Sequence, residues 1–170
     1  MATASAQRAD RAIVVRSEQP AGAVAVRGIR NGLVAGVAMA MLMMVLGAFD
    51  QGFFAAPSAI WAFWGGPSAY TPHALSASVV IGAMGHMMNS AILGIAFALI
   101  AARVIRPDGA AAAMIAGTTF ALVALAVMFK AVLPLSPNGA IVIGSAALWI
   151  WIVGHAAFGM VGGSLYDRWR

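Results

Sequence analysis

The sequence predicts an all-α membrane protein in which four transmembrane helices form one compact bundle. Of its 170 residues, 62% are hydrophobic and only 9% are charged, too few charges to cover the surface of a water-soluble domain. Four apolar runs are long enough to cross the hydrocarbon core, which needs about 20 residues of helix. Basic residues flank these runs in a pattern typical of membrane topology.

The apolar runs define the predicted domain organisation. Residues 1–28 are predicted to form a cytoplasmic tail, and residues 29–167 a single transmembrane domain. Within that domain an aromatic outer loop, residues 50–74, joins the first two spans. Spans 1 to 4 are predicted in chain order at about residues 32–49, 75–102, 110–132 and 141–165.

The basic residues predict the orientation. Nine of the ten Lys and Arg residues precede span 1, lie between spans 2 and 3, or follow span 4, and only Lys130 falls on the other side. Because short cytoplasmic segments retain Lys and Arg, both termini are expected in the cytoplasm. The net charge of +5 would then face anionic lipid, and no interleaving of basic and aromatic residues indicates nucleic acid as a partner.

An internal duplication is predicted from two matching patterns. The segment Gly32–Gly36 in span 1 resembles Ala113–Gly117 in span 3, and the pair Gly85–His86 in span 2 matches Gly154–His155 in span 4. Each half would cross the membrane outward and return. Two tandem two-helix repeats would therefore be related by a pseudo-twofold axis along the membrane normal.

Small residues at three- or four-residue spacing predict close helix packing. In lipid such stripes let backbones approach, so that van der Waals contact holds the helices together. The predicted packing residues are Gly32, Gly36, Ser90, Gly94, Gly117, Gly159 and Gly163.

The two midspan histidines, His86 and His155, are the strongest candidate site. An imidazole at this depth costs free energy unless it is satisfied. We favour interhelical hydrogen bonds, for which His86 has Asn89, Ser90 or a carbonyl group of a neighbouring helix within reach. One alternative is that small neighbours leave room for a macrocycle, with the pair ligating haem b iron or a single histidine binding a chlorophyll-type pigment. The other is that the histidines contact a partner protein.

Methionines lie at a similar depth on spans 1 and 2. Thioethers are donors that Cu(I) prefers, whereas methionine also fills irregular gaps between helices. We favour gap filling, and we predict no metal site. The residues concerned are Met39, Met41, Met43, Met44, Met84, Met87 and Met88.

The outer loop is rich in aromatic residues. Pro57 is a suitable first residue for a short helix through Trp64, lying flat at the membrane interface where aromatic rings rest among the headgroups. Anchoring is the favoured interpretation, and docking of a partner or lipid-soluble ligand is the alternative. The interfacial or partner-docking candidates are Trp61, Phe63, Trp64 and Tyr70.

Catalytic chemistry has little support in the sequence, and we predict that the protein is not an enzyme. The chain has no cysteine, which excludes disulfides and thiolate sites. Its five acidic residues lie in loops or at span ends, away from the depth at which a proton relay or a triad with a midspan histidine would need them.

A pattern on the last span carries a family resemblance. His155, Phe158, Gly159, Gly163 and Tyr166 fit H-x-x-[FY]-G-x-x-x-G-x-x-Y. With the Gly32–Gly36 segment and Leu133–Pro134, this resembles an uncharacterised family of small four-span bacterial inner-membrane proteins. The resemblance implies the fold and a bacterial inner-membrane location, and it brings no assigned activity.

These observations favour one function and leave two open. The favoured function is a non-catalytic accessory subunit that packs against other membrane subunits of a larger bacterial complex and stabilises it. The first alternative is an electron-transfer subunit in which His86 and His155 hold haem b. The second is a small transporter.

Overall fold

A computed structural model describes residues 19–168, and all regular structure in that part of the chain is helical. The predicted all-α class is confirmed. The six α-helices in chain order are α1 (Ala21–Gly47), α2 (Ala55–Gly65), α3 (Ala77–Ile100), α4 (Gly109–Val127), α5 (Gly139–Gly144) and α6 (Leu148–Arg168).

Four of these helices are long and apolar enough to cross a membrane, as predicted. Helix α1 forms the first candidate span and α6 the fourth. A wider helical turn extends α3 to Ile105, and further turns extend α4 to Leu135. The protein is therefore a small multi-pass membrane protein.

The first helix begins earlier than the sequence predicted. Helix α1 starts at Ala21, directly after Pro20, rather than near residue 32. Three alanines and two valines are among the intervening residues, and the long side chains of Arg27 and Arg30 let charged heads reach water from a helix that enters lipid. The last residues of the predicted tail are thus helical, while residues 1–18 lie outside the described part of the chain.

The fourth predicted span is divided into two helices. Its first residues form α5, and α6 begins only at Leu148. At the break, Ser145 donates a hydrogen bond to the Val142 carbonyl at 2.8 Å. The Ala147 N–H group donates to the carboxylate of Asp50 at 2.7 Å, so that a residue of the first outer loop fixes the start of α6.

Helices within each half pack alike, but the halves do not meet symmetrically. Extensive contacts join α1 to α3, and equally extensive ones join α4 to α6. Between the halves, α1 packs against α6, whereas α3 and α4 approach each other only through side chains such as Phe97 and Phe120, whose ring centres are 5.6 Å apart. A pseudo-twofold axis would make these two contacts equivalent, and this packing does not.

Candidate functional site

His86 joins two helices through one hydrogen bond. Its Nε2–H donates to the carbonyl oxygen of Gly36 on α1 at 3.0 Å. The side chains of Asn89 and Ser90, which the sequence offered as possible partners on the same helix, do not bond to His86. This is the hydrogen bond to a neighbouring helix that the sequence favoured, made to a main-chain acceptor.

His155 is bonded within its own helix. Its Nδ1–H donates to the carbonyl oxygen of Trp151, one turn earlier, at 2.9 Å. The ring is buried and lies beside the Trp151 indole, with ring centres 6.0 Å apart. The Trp151 Nε1–H group is buried and has no acceptor among residues 19–168.

His86 on α3 and His155 on α6 both lie near α1, since His86 bonds to Gly36 and the residue before His155, Gly154, packs against Met43. The room expected beside them is filled by neighbouring helices. A Cβ added at Gly154 would lie 2.7 Å from Cγ of Met43, and one added at Gly159 would overlap the carbonyl oxygen of Gly117. Gly154 and Gly159 therefore admit neighbouring helices, and at these two positions no slot is left for a macrocycle.

All seven predicted packing residues lie where helices cross. In the first half, a Cβ at Gly32 would lie 2.9 Å from Cα of Gly94, and one at Gly36 would lie 2.6 Å from Cβ of Ser90. In the second half, a Cβ at Gly117 would lie 3.2 Å from Cα of Gly163. Gly117 and Gly159 approach through their main chains, as described above. At these points only small residues allow the observed helix spacing.

Asn89 has an exposed side chain near the middle of α3. No residue from 19 to 168 forms a hydrogen bond with its side chain. Exposed apolar residues adjoin it on the same helix face, namely Ile81, Met88 and Ile92. This exposed amide near the middle of a span is a feature that sequence reasoning missed, because it had considered Asn89 only as one of several possible partners of His86.

A second amide, Asn31, is buried and lines a small crevice in the bundle. The crevice holds about 10 Å³, room for roughly a single water molecule. Glycines at the two helix crossings and the aromatic rings of Phe97, Phe120 and Tyr166 form its walls. Asn31 could have been noticed in the sequence, because it is a polar residue directly before the first apolar run.

The outer aromatic residues are divided between packing and exposure. Helix α2 covers the predicted helix from Pro57 to Trp64, and it buries a face of small residues against α3. Trp64 is exposed, whereas Trp61, Phe63 and Tyr70 are half-buried. Burial raises the pKa of the Tyr70 hydroxyl, and the nearby Asp50 carboxylate raises it further.

Comparison with known proteins adds no relative: no family model, curated protein or solved structure matches the chain. The family resemblance seen in the His155 motif therefore stays a prediction.

Proposed function

We propose that the protein is a non-catalytic accessory subunit of a larger membrane complex, as the sequence favoured. The single observation that carries the proposal is the exposed Asn89 amide at the middle of a span. An amide in hydrocarbon with no hydrogen-bonding partner costs about 1–3 kcal/mol or more. A transmembrane helix of another subunit that carries a polar group at the same depth removes this cost.

The surface around Asn89 suits a helix as partner. Gly85 lies one turn before Asn89, and a Cβ added there would meet nothing closer than Ile60 at 3.5 Å. Ile81, Met88 and Ile92 surround this shallow depression with apolar surface. We call these five residues of α3 the Asn89 face: Ile81, Gly85, Met88, Asn89 and Ile92.

The proposed subunit resides in a bacterial inner membrane with both termini in the cytoplasm. The positions of the basic residues support this orientation. The proposal retains a tandem duplication, because Gly36–Ser90 in the first half and Gly117–Gly159 in the second are equivalent pairs in the predicted repeat and both mark helix crossings. Divergence after duplication would explain why the two halves meet asymmetrically.

The haem and pigment alternative has no support from the packing beside the histidines, since Met43 and Gly117 occupy the space that a macrocycle requires. No observation specifically favours a transporter. The accessory-subunit proposal is therefore the one taken to experiment.

Extraction of the tagged protein from its native membrane in mild detergent tests the proposal. Wild type should migrate as a defined assembly larger than a homodimer, and Asn89→Leu should release the folded protein from it. Val80→Leu is the matched control, because Val80 is also exposed on α3 but lies on the side of the helix opposite Asn89. Migration of wild type only as a monomer or homodimer in several gentle detergents would overturn the proposal.

Site-specific photocrosslinking locates the contact. A photoreactive residue at Ile92 should give an adduct with another protein, and one at the lipid-facing Val123 of α4 should not. Adducts that contain only a second copy of this chain would assign the Asn89 face to self-association and would contradict the larger complex.

A further inference from the structure

The methionines separate into a buried set and a lipid-facing set. Met39 and Met43 on α1 are 5% and 3% exposed, whereas Met84 and Met88 on α3 are 67% and 65% exposed. The sequence could not make this division, because all four lie in apolar runs. The buried pair can offer its thioethers to a site inside the bundle.

Both buried methionines pack against the residue that precedes His155. A Cβ added at Gly154 would lie 2.9 Å from Sδ of Met43 and 3.6 Å from Cγ of Met39. Met39, Met43 and Trp151 also belong to one continuous buried cluster. The soft sulfur atoms and the His155 segment of α6 therefore share one region of the core.

The hydrogen bond of His155 selects the form of its imidazole. Because Nδ1–H donates to the Trp151 carbonyl, the neutral ring carries its lone pair on Nε2. No residue in the described part of the chain donates a hydrogen bond to that nitrogen. Metal-binding histidines commonly use this arrangement, in which the other ring N–H is tied to a carbonyl and the ligating nitrogen stays free.

Trp151 adds a feature that favours a cation. Its indole ring is 3% exposed and inclined at 45° to the imidazole of His155. The face of an indole carries negative charge density that attracts a nearby cation. The two methionines of α1 thus lie against the turn of α6 that carries the Trp151 indole and the His155 imidazole.

We propose that Met39, Met43 and His155 bind a Cu(I) ion beside the indole of Trp151. All three donors are neutral, and thioether with imidazole is a combination that suits Cu(I). Within residues 19–168 no group of three or more His, Asp or Glu residues is placed to hold a metal ion, so a harder divalent cation lacks its preferred ligands. A monovalent ion also costs much less than a divalent one to bury in hydrocarbon.

The proposed site differs from the haem alternative in the space it needs. A single ion is far smaller than a macrocycle, so it requires no slot next to the ring. His86 is not a ligand in this proposal, since its hydrogen bond to Gly36 serves the crossing of α1 and α3.

Anaerobic titration of the purified full-length protein with Cu(I), in competition with a colorimetric Cu(I) chelator, tests the site. Wild type should hold a single Cu(I) ion per chain. The double variant Met39→Leu/Met43→Leu keeps side chains of similar volume, and its Cu(I) affinity should fall at least about tenfold. The matched control, Met41→Leu/Met84→Leu, removes two exposed thioethers outside the Asn89 face and should leave the affinity unchanged.

X-ray absorption of the copper-loaded protein gives the second readout. The spectrum should contain both sulfur and nitrogen scatterers, and the sulfur contribution should disappear in the buried double variant. Failure of wild type to retain Cu(I) against the chelator would overturn the proposal. Equal affinities in the two double variants would overturn it as well, because binding would then not depend on the buried pair. These readouts need no partner protein, so they are independent of the accessory-subunit test.

Discussion

At the scale of single residues, equivalent positions in the two halves have different partners. His86 and His155 match in the predicted repeat, yet the first bonds across to α1 and the second bonds back to Trp151 on its own helix. The Gly36 carbonyl oxygen faces His86, whereas the equivalent Gly117 carbonyl oxygen faces Gly159. A matching sequence position therefore did not determine a matching contact.

Gly94 provides a residue-scale prediction. Its Cα lies so close to α1 that an added Cβ would be 2.6 Å from Cα of Gly32, so Gly94→Ala must push two backbones apart. We expect a loss of about 1–3 kcal/mol in the free energy of unfolding, measured by denaturant titration in mixed micelles. Gly144→Ala is the control, since a Cβ there meets nothing within 4 Å. Equal stability of the two variants would show that the α1 and α3 crossing is looser than described.

The sequence predicted the crossing residues better than the polar contacts. Small residues repeat along one helix face, and this spacing can be recognised without knowing which helix packs against it. A polar contact depends also on which face meets which helix and on the side-chain rotamer. This is why the spacing pointed to Gly32 and Gly94, which approach closely in the structure, whereas it could not show that the Asn89 side chain is exposed.

At the scale of elements, the prediction for α2 relied on its aromatic content and overlooked the spacing of its small residues. Its aromatic residues suggested a helix lying flat among headgroups. Ala55, Ser58, Ala59 and Ala62, however, repeat at three- and four-residue spacing and form a buried face. Ser136 and Asn138 each donate a hydrogen bond to the Phe63 carbonyl at 3.3 Å, which ties α2 to the segment just before α5. The buried face of α2 could be predicted from the spacing of its small residues, whereas these long-range hydrogen bonds could not.

Asp50 provides the element-scale prediction. Its carboxylate accepts the Ala147 N–H at the start of α6, where a negative charge also interacts favourably with the helix dipole. Asp50→Ala should reduce stability by about 1 kcal/mol and speed hydrogen exchange at the Ala147 amide. Asp50→Asn keeps an acceptor oxygen and should fall between wild type and Asp50→Ala. Unchanged exchange in Asp50→Ala would rule out this capping role.

At the scale of the whole molecule, an even number of spans leaves the two ends of the transmembrane domain on the same side of the membrane. The distribution of basic residues predicts which side that is. Arg103 and Arg106 lie at the end of the second candidate span, whereas Lys130 lies near the end of the third, which is on the opposite side of the membrane. Retention of Lys and Arg in the cytoplasm predicts that the connection between α3 and α4 lies inside.

The cysteine-free chain allows single cysteine reporters to test this orientation, with Ser68→Cys in the exposed predicted outer loop and Ala110→Cys at the exposed start of α4. In intact spheroplasts a membrane-impermeant maleimide should label only Ser68→Cys, and Ala110→Cys should react only after lysis. The reverse pattern would invert the topology. The Asn89 face would keep its depth near the bilayer centre in either orientation, so the orientation test and the partner test probe separate properties of the molecule.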